Sequence, residues 1–259
     1  MGMAASGEAS ARRSPPAVKR TTAASACAGS GAEDARYLLL QLCDSGFPSG
    51  AFSHSFGFET YLHEGTIADG ASFGNWLRAF FLQMWSYNDG FAVRLAYEAL
   101  ERGDEEELWA LDRRLTLQTV PREQRLAGVR MGRRVLELVR ELIGLEPLER
   151  YRERIAERRA FGQVPLVYAL IGAHCRIPLR ETMRHAAYAT AVSLVQNGVR
   201  AIPLGQTEGQ RLLYGLNPVL AEAVALAETL PPEDFGISPP GLELASIRHE
   251  RLEGRMFMS

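Results

Sequence analysis

Histidine and cysteine are the side chains of this sequence best suited to holding a metal ion, and both are few and scattered. The chain has five histidines and three cysteines: His54, His63, His174, His185, His249, Cys27, Cys43 and Cys175. No two of them stand in a His-Glu-x-x-His or Cys-x-x-Cys pattern, the spacings that bring two ligands to one ion. We therefore predict that the chain holds no metal ion and no other cofactor of its own.

One short motif has the residues of a serine hydrolase. Residues 70–74 read Gly-Ala-Ser-Phe-Gly and match the nucleophile elbow, in which a strand runs into a strained turn that exposes the serine. The preceding residues 63–69 leave no room for such a strand. The simpler interpretation is that Ser72 or Asp69 caps the helix that follows. A hydrolase that uses Ser72 stays open as an alternative.

The cations of the chain argue against phosphate chemistry. A nucleotide hydrolase of the P-loop type needs a lysine after its glycine-rich turn, because that lysine reaches the phosphates. Lys19 is the only lysine here, and Arg13 occupies the position of the first glycine. This function is excluded. Since no catalytic residue is assigned, we predict that the chain is not an enzyme.

Arginines are concentrated in residues 122–159, which raises the question of nucleic-acid binding. Glutamates are interleaved among them at the spacing of ion pairs within a helix, and Tyr151 is the only aromatic residue there. Interleaved carboxylates repel phosphate, and aromatic side chains that could stack on bases are lacking. We predict a solvated, charged face and no nucleic-acid partner.

The composition is typical of a globular protein outside the membrane. Apolar residues make up 46%, charged residues 23%, and the net charge is -2, a balance that allows a packed core. The odd number of widely spaced cysteines favours a reducing compartment, so we predict the cytoplasm. No apolar run approaches the roughly 20 residues of a membrane span. The longest, at residues 80–82, is broken by Gln83 and Ser86.

Helices must position these residues, because apolar residues repeat at the helical period from Arg36 onward and alternating runs are rare. We predict an all-α fold, with a compact domain of about ten helices over residues 36–230. The predicted helices cover residues 37–43, 53–63, 73–87, 90–102, 105–119, 124–144, 149–159, 163–175, 179–199 and 208–230. Asp104 is the predicted cap of the fifth, and the last is interrupted near Pro218.

The helix predicted over residues 124–144 has the clearest apolar face. At about 100° per residue, one wide sector holds Leu126, Val129, Val135, Leu136, Leu138, Val139, Leu142 and Ile143. A face this wide needs at least two neighbours, and residues 73–87 present a similar one. We therefore predict that the domain forms a homodimer.

The two ends of the chain differ from the domain in composition. Residues 1–35 are rich in Ala, Ser and Gly with several basic residues, and we predict a disordered N-terminal extension, with an organelle transit peptide as the alternative. At the other end, Pro231-Pro232 and Pro239-Pro240 bracket a linker. Residues 231–259 are therefore predicted to form a linker and a flexible tail.

Three segments along the chain carry recognisable motifs. The first, within residues 39–59, is an apolar helix, a turn and a Phe-Ser-x-Ser-x-Gly-x-Glu run, with the motif residues Pro48, Gly50, Phe52, Ser53, Ser55, Gly57 and Glu59. The second is Pro203-Leu204-Gly205-Gln206. The third is the end of the chain, residues 245–250 and 255–259. Together with Glu123, Arg125 and Gly132, these segments resemble the UreF family of urease accessory proteins over residues 36–259.

The resemblance implies an all-α protein that dimerises and has no catalytic activity of its own. Such a protein binds the urease accessory protein UreD, also called UreH, and with it recruits the GTPase UreG. The assembled complex then delivers nickel to apo-urease. A stand-alone nickel-binding metallochaperone is the remaining alternative.

The tail is the segment that we expect to bind a partner. Leu244, Ile247, Arg251 and Glu253 fall at helical spacing, but a helix of about a dozen residues is marginal alone in water. We predict that UreD captures the tail, and the predicted contact residues are Ile247, Arg248, His249, Glu250, Arg255, Met256 and Phe257. Docking of the tail on its own domain is the alternative.

Overall fold

The computed structural model describes residues 31–258, and all regular structure in this range is helical. The twelve α-helices of these residues are α1 Gly31–Leu42, α2 Phe58–His63, α3 Gly70–Ala79, α4 Asp89–Glu101, α5 Glu105–Gln118, α6 Arg122–Ile143, α7 Glu146–Ala156, α8 Val164–His174, α9 Leu179–Ala201, α10 Gln206–Gly215, α11 Asn217–Thr229 and α12 Pro240–His249. Short 3₁₀ turns form at Ala51–Ser53 and Pro232–Asp234, and a π-helical segment, Phe80–Trp85, continues α3. The all-α prediction is confirmed.

Helix α8 lies at the centre of the domain. Every residue from Pro165 to Gly172 is buried, and α8 packs against α4, α6, α7 and α9. A helix that is apolar on all sides is stable only when it is surrounded in this way. At Gly172 the contact with α9 is close, since a Cβ atom there would lie 2.3 Å from Thr182 Oγ1.

The helix ends follow local signals in some places and depart from the predicted bounds in others. Asp104 caps α5 as predicted, because its carboxylate accepts the Glu107 N–H at 3.0 Å. The helix predicted over residues 53–63 begins only at Phe58. Phe56 and Gly57 have positive φ angles of 51° and 90°, which a continuous helix cannot contain.

Helix α6 buries only part of the predicted face. Val135, Leu136 and Val139 are buried as expected, but Leu126 and Leu142 are 41% and 52% exposed. Buried positions include Ala127 and Gly132. The reason is a close approach: a Cβ atom on Gly132 would lie 2.1 Å from the carbonyl oxygen of Gly162, so the helix turns this side inward.

A buried carboxylate fixes the loop between α7 and α8. Asp112 on α5 accepts the Tyr151 hydroxyl at 2.6 Å and the backbone N–H groups of Phe161, Gly162 and Gln163 at 2.5, 3.2 and 3.2 Å. Burial raises the pKa of Asp112, and these hydrogen bonds oppose the shift. The Gln163 N–H also donates to the Tyr151 hydroxyl oxygen at 2.7 Å, so Asp112 and Tyr151 together supply the acceptors for the backbone donors of this loop.

Both ends of the domain differ from the predicted division of the chain. Helix α1 begins at Gly31, so it includes the last five positions of the predicted extension. The rest of that extension, residues 1–30 with Cys27, lies outside the described residues. At the other end α12 packs against α2 and α6. None of the helices in the described range is long and apolar enough to cross a membrane.

Candidate partner-docking site

The first motif forms a compact turn whose shape depends on two glycines. Gly50 and Gly57 have φ angles of 88° and 90°, in the left-handed region that favours glycine. Between them lie the 3₁₀ turn Ala51–Ser53 and the extended His54. At Gly57 the chain also approaches α12, because a Cβ atom there would lie 2.5 Å from Ser246 Oγ. Gly57 therefore serves both the backbone conformation and the contact between α2 and the tail.

Helix α9 holds this turn in place through two polar side chains. The Asn197 amide donates to the carbonyl oxygens of Ala51 and His54, at 3.1 and 2.7 Å. The Arg200 guanidinium donates to the carbonyl oxygen of Phe52 and, at 2.7 Å, to Asn197 Oδ1. Backbone carbonyls outside regular helices need such donors when they are covered by other residues.

A buried polar network joins the first motif to the tail. His249 has no exposed surface and lies between two carboxylates: its Nε2 atom is 2.7 Å from Glu59 Oε2, and its Nδ1 atom is 2.8 Å from Glu123 Oε2. Arg255 donates to the other oxygen of Glu123 at 2.5 Å. The tail thus contributes an imidazole and a guanidinium to carboxylates on α2 and α6. Neither carboxylate would keep these partners if the tail left the domain.

Glu59 also receives the backbone of the last residues. The N–H groups of Met256 and Phe257 donate to its two carboxylate oxygens at 2.5 and 3.1 Å. The Phe257 ring is 3% exposed and packs edge-on against Phe58, with ring centroids 5.4 Å apart. Thr60 adds a third contact, because its hydroxyl donates to the carbonyl oxygen of Ala245 at 2.8 Å. The end of the chain is therefore part of the core.

Three apolar side chains remain exposed beside this network, and we call them the tail face: Phe52, Met256 and Met258. They are exposed to 63%, 60% and 51%, respectively. The Met258 N–H donates to the carbonyl oxygen of Ser53 at 2.8 Å, and Arg200 Cζ lies 5.9 and 5.2 Å from the ring centroids of Phe52 and Phe257. Neighbouring exposed apolar side chains are typical of a surface that contacts another protein.

Arginines of α6 approach the same turn. Arg134 Nε donates to the carbonyl oxygen of Pro48 at 3.4 Å. Burial, and next the positive charge of Arg130, lower the pKa of His54 to about 4. The His54 imidazole is therefore neutral near pH 7. The first motif thus presents an apolar surface with basic side chains beside it.

The prediction of a free tail is wrong, and its alternative, docking on the domain, is what the structure has. The predicted contact residues divide accordingly. His249 and Phe257 are buried and hold the tail in place. The others are at the surface: Ile247, Arg248, Glu250, Arg255 and Met256. The physical reason is that Glu59 and Glu123 find their donors, and Phe58 its apolar cover, only when the tail is docked.

The residues of the other motifs are divided between the interior and the surface. In the first motif Ser55, Gly57 and Glu59 are buried, Pro48 and Phe52 are exposed, and Gly50 and Ser53 are intermediate. In the second, Leu204 is buried, and the exposed residues are Pro203, Gly205 and Gln206. Leu204 packs at the start of α3, where a Cβ atom on Gly70 would lie 3.2 Å from it. The structure therefore brings the first and third motifs together and places the second against α3.

Sequence reasoning missed two residues that build this site. Asn197 lies within the helix predicted over residues 179–199 and Arg200 directly follows it, and the sequence pattern predicts no role for either, yet they fix the first motif. One weak signal was available for Asn197, because its polar amide stands among the apolar residues of α9, where the structure shows it to be buried. Glu123 was noticed as part of the resemblance, but nothing in its local spacing pointed to His249.

The structure bears on both alternatives, the serine hydrolase and the stand-alone nickel-binding protein. Ser72 is engaged with Asp69 in a capping box: the Asp69 carboxylate accepts both the Ser72 N–H at 2.8 Å and the Ser72 hydroxyl at 2.7 Å. Since no strand precedes it in the described residues, residues 70–74 do not form a nucleophile elbow, and the capping interpretation is confirmed. For metals, residues 31–258 contain no group of three His, Cys, Asp or Glu side chains that could hold an ion.

Fold and site together define an all-helical domain in which α2 and α6 join the C-terminal segment in one buried network beside an exposed apolar surface. Comparison with known proteins gives the family. The family model for UreF matches residues 67–217. Three proteins called urease accessory protein UreF are similar over 85% of this chain: those of Arthrobacter sp. (strain FB24), 46% identical over 96% of its length, Lachnoclostridium phytofermentans, 44% over 97%, and Bacillus sp. (strain TB-90), 42% over 97%. The chain belongs to the UreF family of urease accessory proteins, which confirms the resemblance seen in the sequence.

Proposed function

We propose that this chain is an assembly protein for urease that joins UreD (UreH), the GTPase UreG and apo-urease, so that nickel is inserted into the enzyme. Family membership supports an accessory role in urease formation. The observation that carries the finer proposal is the exposed tail face, which lies beside the buried contact between Glu59 and His249. An assembly protein needs a preformed surface of this kind, because ordering a free segment lowers the affinity for a partner.

The proposed UreD contact uses the docked tail and not a free one. Ile247 and Met256 are 39% and 60% exposed and are the apolar anchors, with Arg248 and Glu250 at the rim. Arg248 already pairs with Glu64 at 3.3 Å, so its charge guides orientation more than it adds affinity. Phe257 supports the contact from inside the domain.

Paired substitutions test this contact. We expect Ile247→Asp with Met256→Asp to abolish co-purification with UreD and urease activation, because two charges would face the apolar partner surface. The matched control is Tyr214→Asp, at an exposed side chain on α10. It should leave both readouts unchanged, and all variants should unfold at the same urea concentration. Full co-purification of the double variant would contradict the proposed contact.

The nucleotide chemistry is proposed to belong to UreG. Lys19 is the only lysine of this chain, and the chain has no P-loop motif. Highly purified protein should neither bind nor hydrolyse GTP, yet urease activation in cells should require it. GTP turnover that scales with the concentration of this protein would contradict the assignment.

The homodimer and the cytoplasmic location remain part of the proposal. The face of residues 73–87, one of the two that motivated self-association, is buried within the domain, for example at Phe73 and Trp85. Better support comes from α1, where Tyr37 and Leu40 are 64% and 56% exposed. Sedimentation at micromolar concentrations should show a dimer that Leu40→Asp dissociates, because a charge would enter the contact. A wild-type protein that stays monomeric would contradict it.

A further inference from the structure

A cavity of about 170 Å³ lies between the helices of the domain and reaches the first motif at Phe47, Ala51 and Phe56. The π-helical segment Phe80–Trp85 and helices α4, α6, α8 and α9 contribute to its walls. Its aromatic lining residues are Phe47, Phe56, Phe80, Trp85 and Tyr168. A dry apolar cavity of ~150 Å³ is large enough to hold one benzene molecule. This cavity can therefore hold an organic molecule of about five or six non-hydrogen atoms.

Asp89, the first residue of α4, brings a carboxylate to this apolar wall. Within residues 31–258 no side chain or backbone group donates a hydrogen bond to that carboxylate, and no cation pairs with it. Burial raises the pKa of Asp89 to about 6. Asp89 is partly exposed, so solvent and not a protein group supplies hydrogen bonds to its carboxylate, and the site has no fixed partner for this charge.

The neighbouring polar side chains are engaged elsewhere. Arg125 also lines the cavity, but its Nη1 atom donates to the carbonyl oxygens of Thr119 and Val120 at 2.7 and 3.2 Å. The Asn88 amide donates to carbonyl oxygens at 3.0 and 3.1 Å. Arg125 and the Asn88 amide therefore direct these donors to backbone carbonyl oxygens and not to Asp89.

We propose that this cavity binds a small organic cation, in which an ammonium group pairs with Asp89 and an apolar body packs against the aromatic walls. Ammonium N–H groups supply the donors that the carboxylate lacks. Aromatic ring faces attract a cation, and the apolar walls cover its alkyl groups. A divalent metal ion fits less well, because it needs several oxygen or nitrogen ligands, and the described residues contain no group of three ligating side chains. This inference is independent of the proposed function.

Binding of such a cation depends on the ionisation of Asp89. With a pKa of about 6, its carboxylate is ionised near pH 7.5 and largely protonated near pH 5. The other titratable or charged groups of the lining are Tyr168 on α8, Arg125 on α6 and Glu243 on α12. Burial raises the pKa of Tyr168 well above its usual value, so the phenol stays neutral. The cation should thus bind more weakly at the lower pH.

The experiment compares two molecules of the same shape that differ in charge, tert-butylammonium and tert-butanol, with the full-length protein. Calorimetry gives the affinity, and the NMR signal of the Trp85 indole reports the location. Near pH 7.5 we expect the ammonium to bind at least about tenfold more tightly than the alcohol, and near pH 5 this ratio should fall towards one. Equal affinities at both pH values would overturn the proposal.

Two isosteric substitutions locate the charge. Asp89→Asn should remove the preference for the ammonium and keep the affinity for the alcohol. The matched control Glu243→Gln should keep the preference, since Glu243 is another carboxylate of the lining. A preference that survives in Asp89→Asn, or that is lost only in Glu243→Gln, would overturn the assignment to Asp89. The comparison of the two pH values needs no substitution, so the test stands even if a variant does not fold.

Discussion

The Nε2 atom of His249 lies 2.7 Å from Glu59 Oε2, although the two residues are 190 positions apart in the chain. The same imidazole meets Glu123 on its other side, at 2.8 Å. Both ring nitrogens donate at once only in the imidazolium form, so full satisfaction of this site needs one extra proton on the ring or on a carboxylate. The end of the chain is therefore attached through polar contacts of defined geometry as well as through the apolar Phe257.

Replacing His249 by alanine should detach the tail. The substitution leaves Glu59 and Glu123 as neighbouring carboxylates with one donor fewer each, and removing one partner of a buried charged set costs about 3–5 kcal/mol. Urea unfolding should show this loss, and hydrogen exchange should show open amides in α12. The control is Arg248→Ala, whose exposed ion pair with Glu64 is worth less than about 1 kcal/mol. Equal stability of the two variants would contradict the buried network.

Alanine at Gly57 should be more harmful than alanine at Gly50. Both glycines have φ near 90°, so each substitution places alanine in a conformation that costs about 1–3 kcal/mol. Only at Gly57 would the new Cβ atom also meet Ser246 Oγ, at 2.5 Å, whereas nothing lies within 4 Å at Gly50. The two unfolding free energies separate backbone strain from the steric clash. If the two costs are the same, α12 does not approach Gly57 as closely as described.

Replacing Asp89 by asparagine should stabilise the protein at high pH and have little effect at low pH. The pKa of Asp89 is raised by burial from 3.8 to about 6, so ionisation weakens the folded state. Relative to Asp89→Asn, the wild type should lose stability as the pH rises from about 4 through about 6, by roughly 1–2 kcal/mol after allowance for its partial exposure. Urea unfolding of both proteins across this range measures the difference. A difference that does not change with pH would contradict the raised pKa.

Removal of the Asp112 carboxylate should release the loop between α7 and α8. Asp112→Ala leaves the Tyr151 hydroxyl and the N–H groups of Phe161 and Gly162 without their acceptor, whereas the Gln163 N–H keeps the Tyr151 oxygen, and we expect a loss of about 3 kcal/mol. Asp104→Ala, on the same helix, removes a single cap and should cost about 1 kcal/mol. Limited proteolysis should then cut residues 157–163 only in the first variant. Resistance of this loop in Asp112→Ala would show that other contacts hold it.

The sequence allowed prediction of those features that depend on near neighbours. The helical period and the Asp104 cap each depend on residues a few positions apart in the chain. The interruption predicted near Pro218, where α10 ends and α11 begins, follows from one proline. The tail could not be predicted in the same way. Its docking depends on Glu59 and Glu123, which are far away in the chain and have no periodic relation to His249. Gly57 gave a partial signal, since a glycine in a motif indicates a special turn, but not which helix would approach it.

The buried position of the last residues has a consequence for the order of events during synthesis. Glu59 is made 190 or more residues before its donors from His249, Met256 and Phe257. The buried network can therefore form only after residues 249–257 have left the ribosome. A product that stops before residue 249 would lack Met256 and Met258 of the tail face and the Phe257 ring that covers Phe58, so it could not present this surface for assembly.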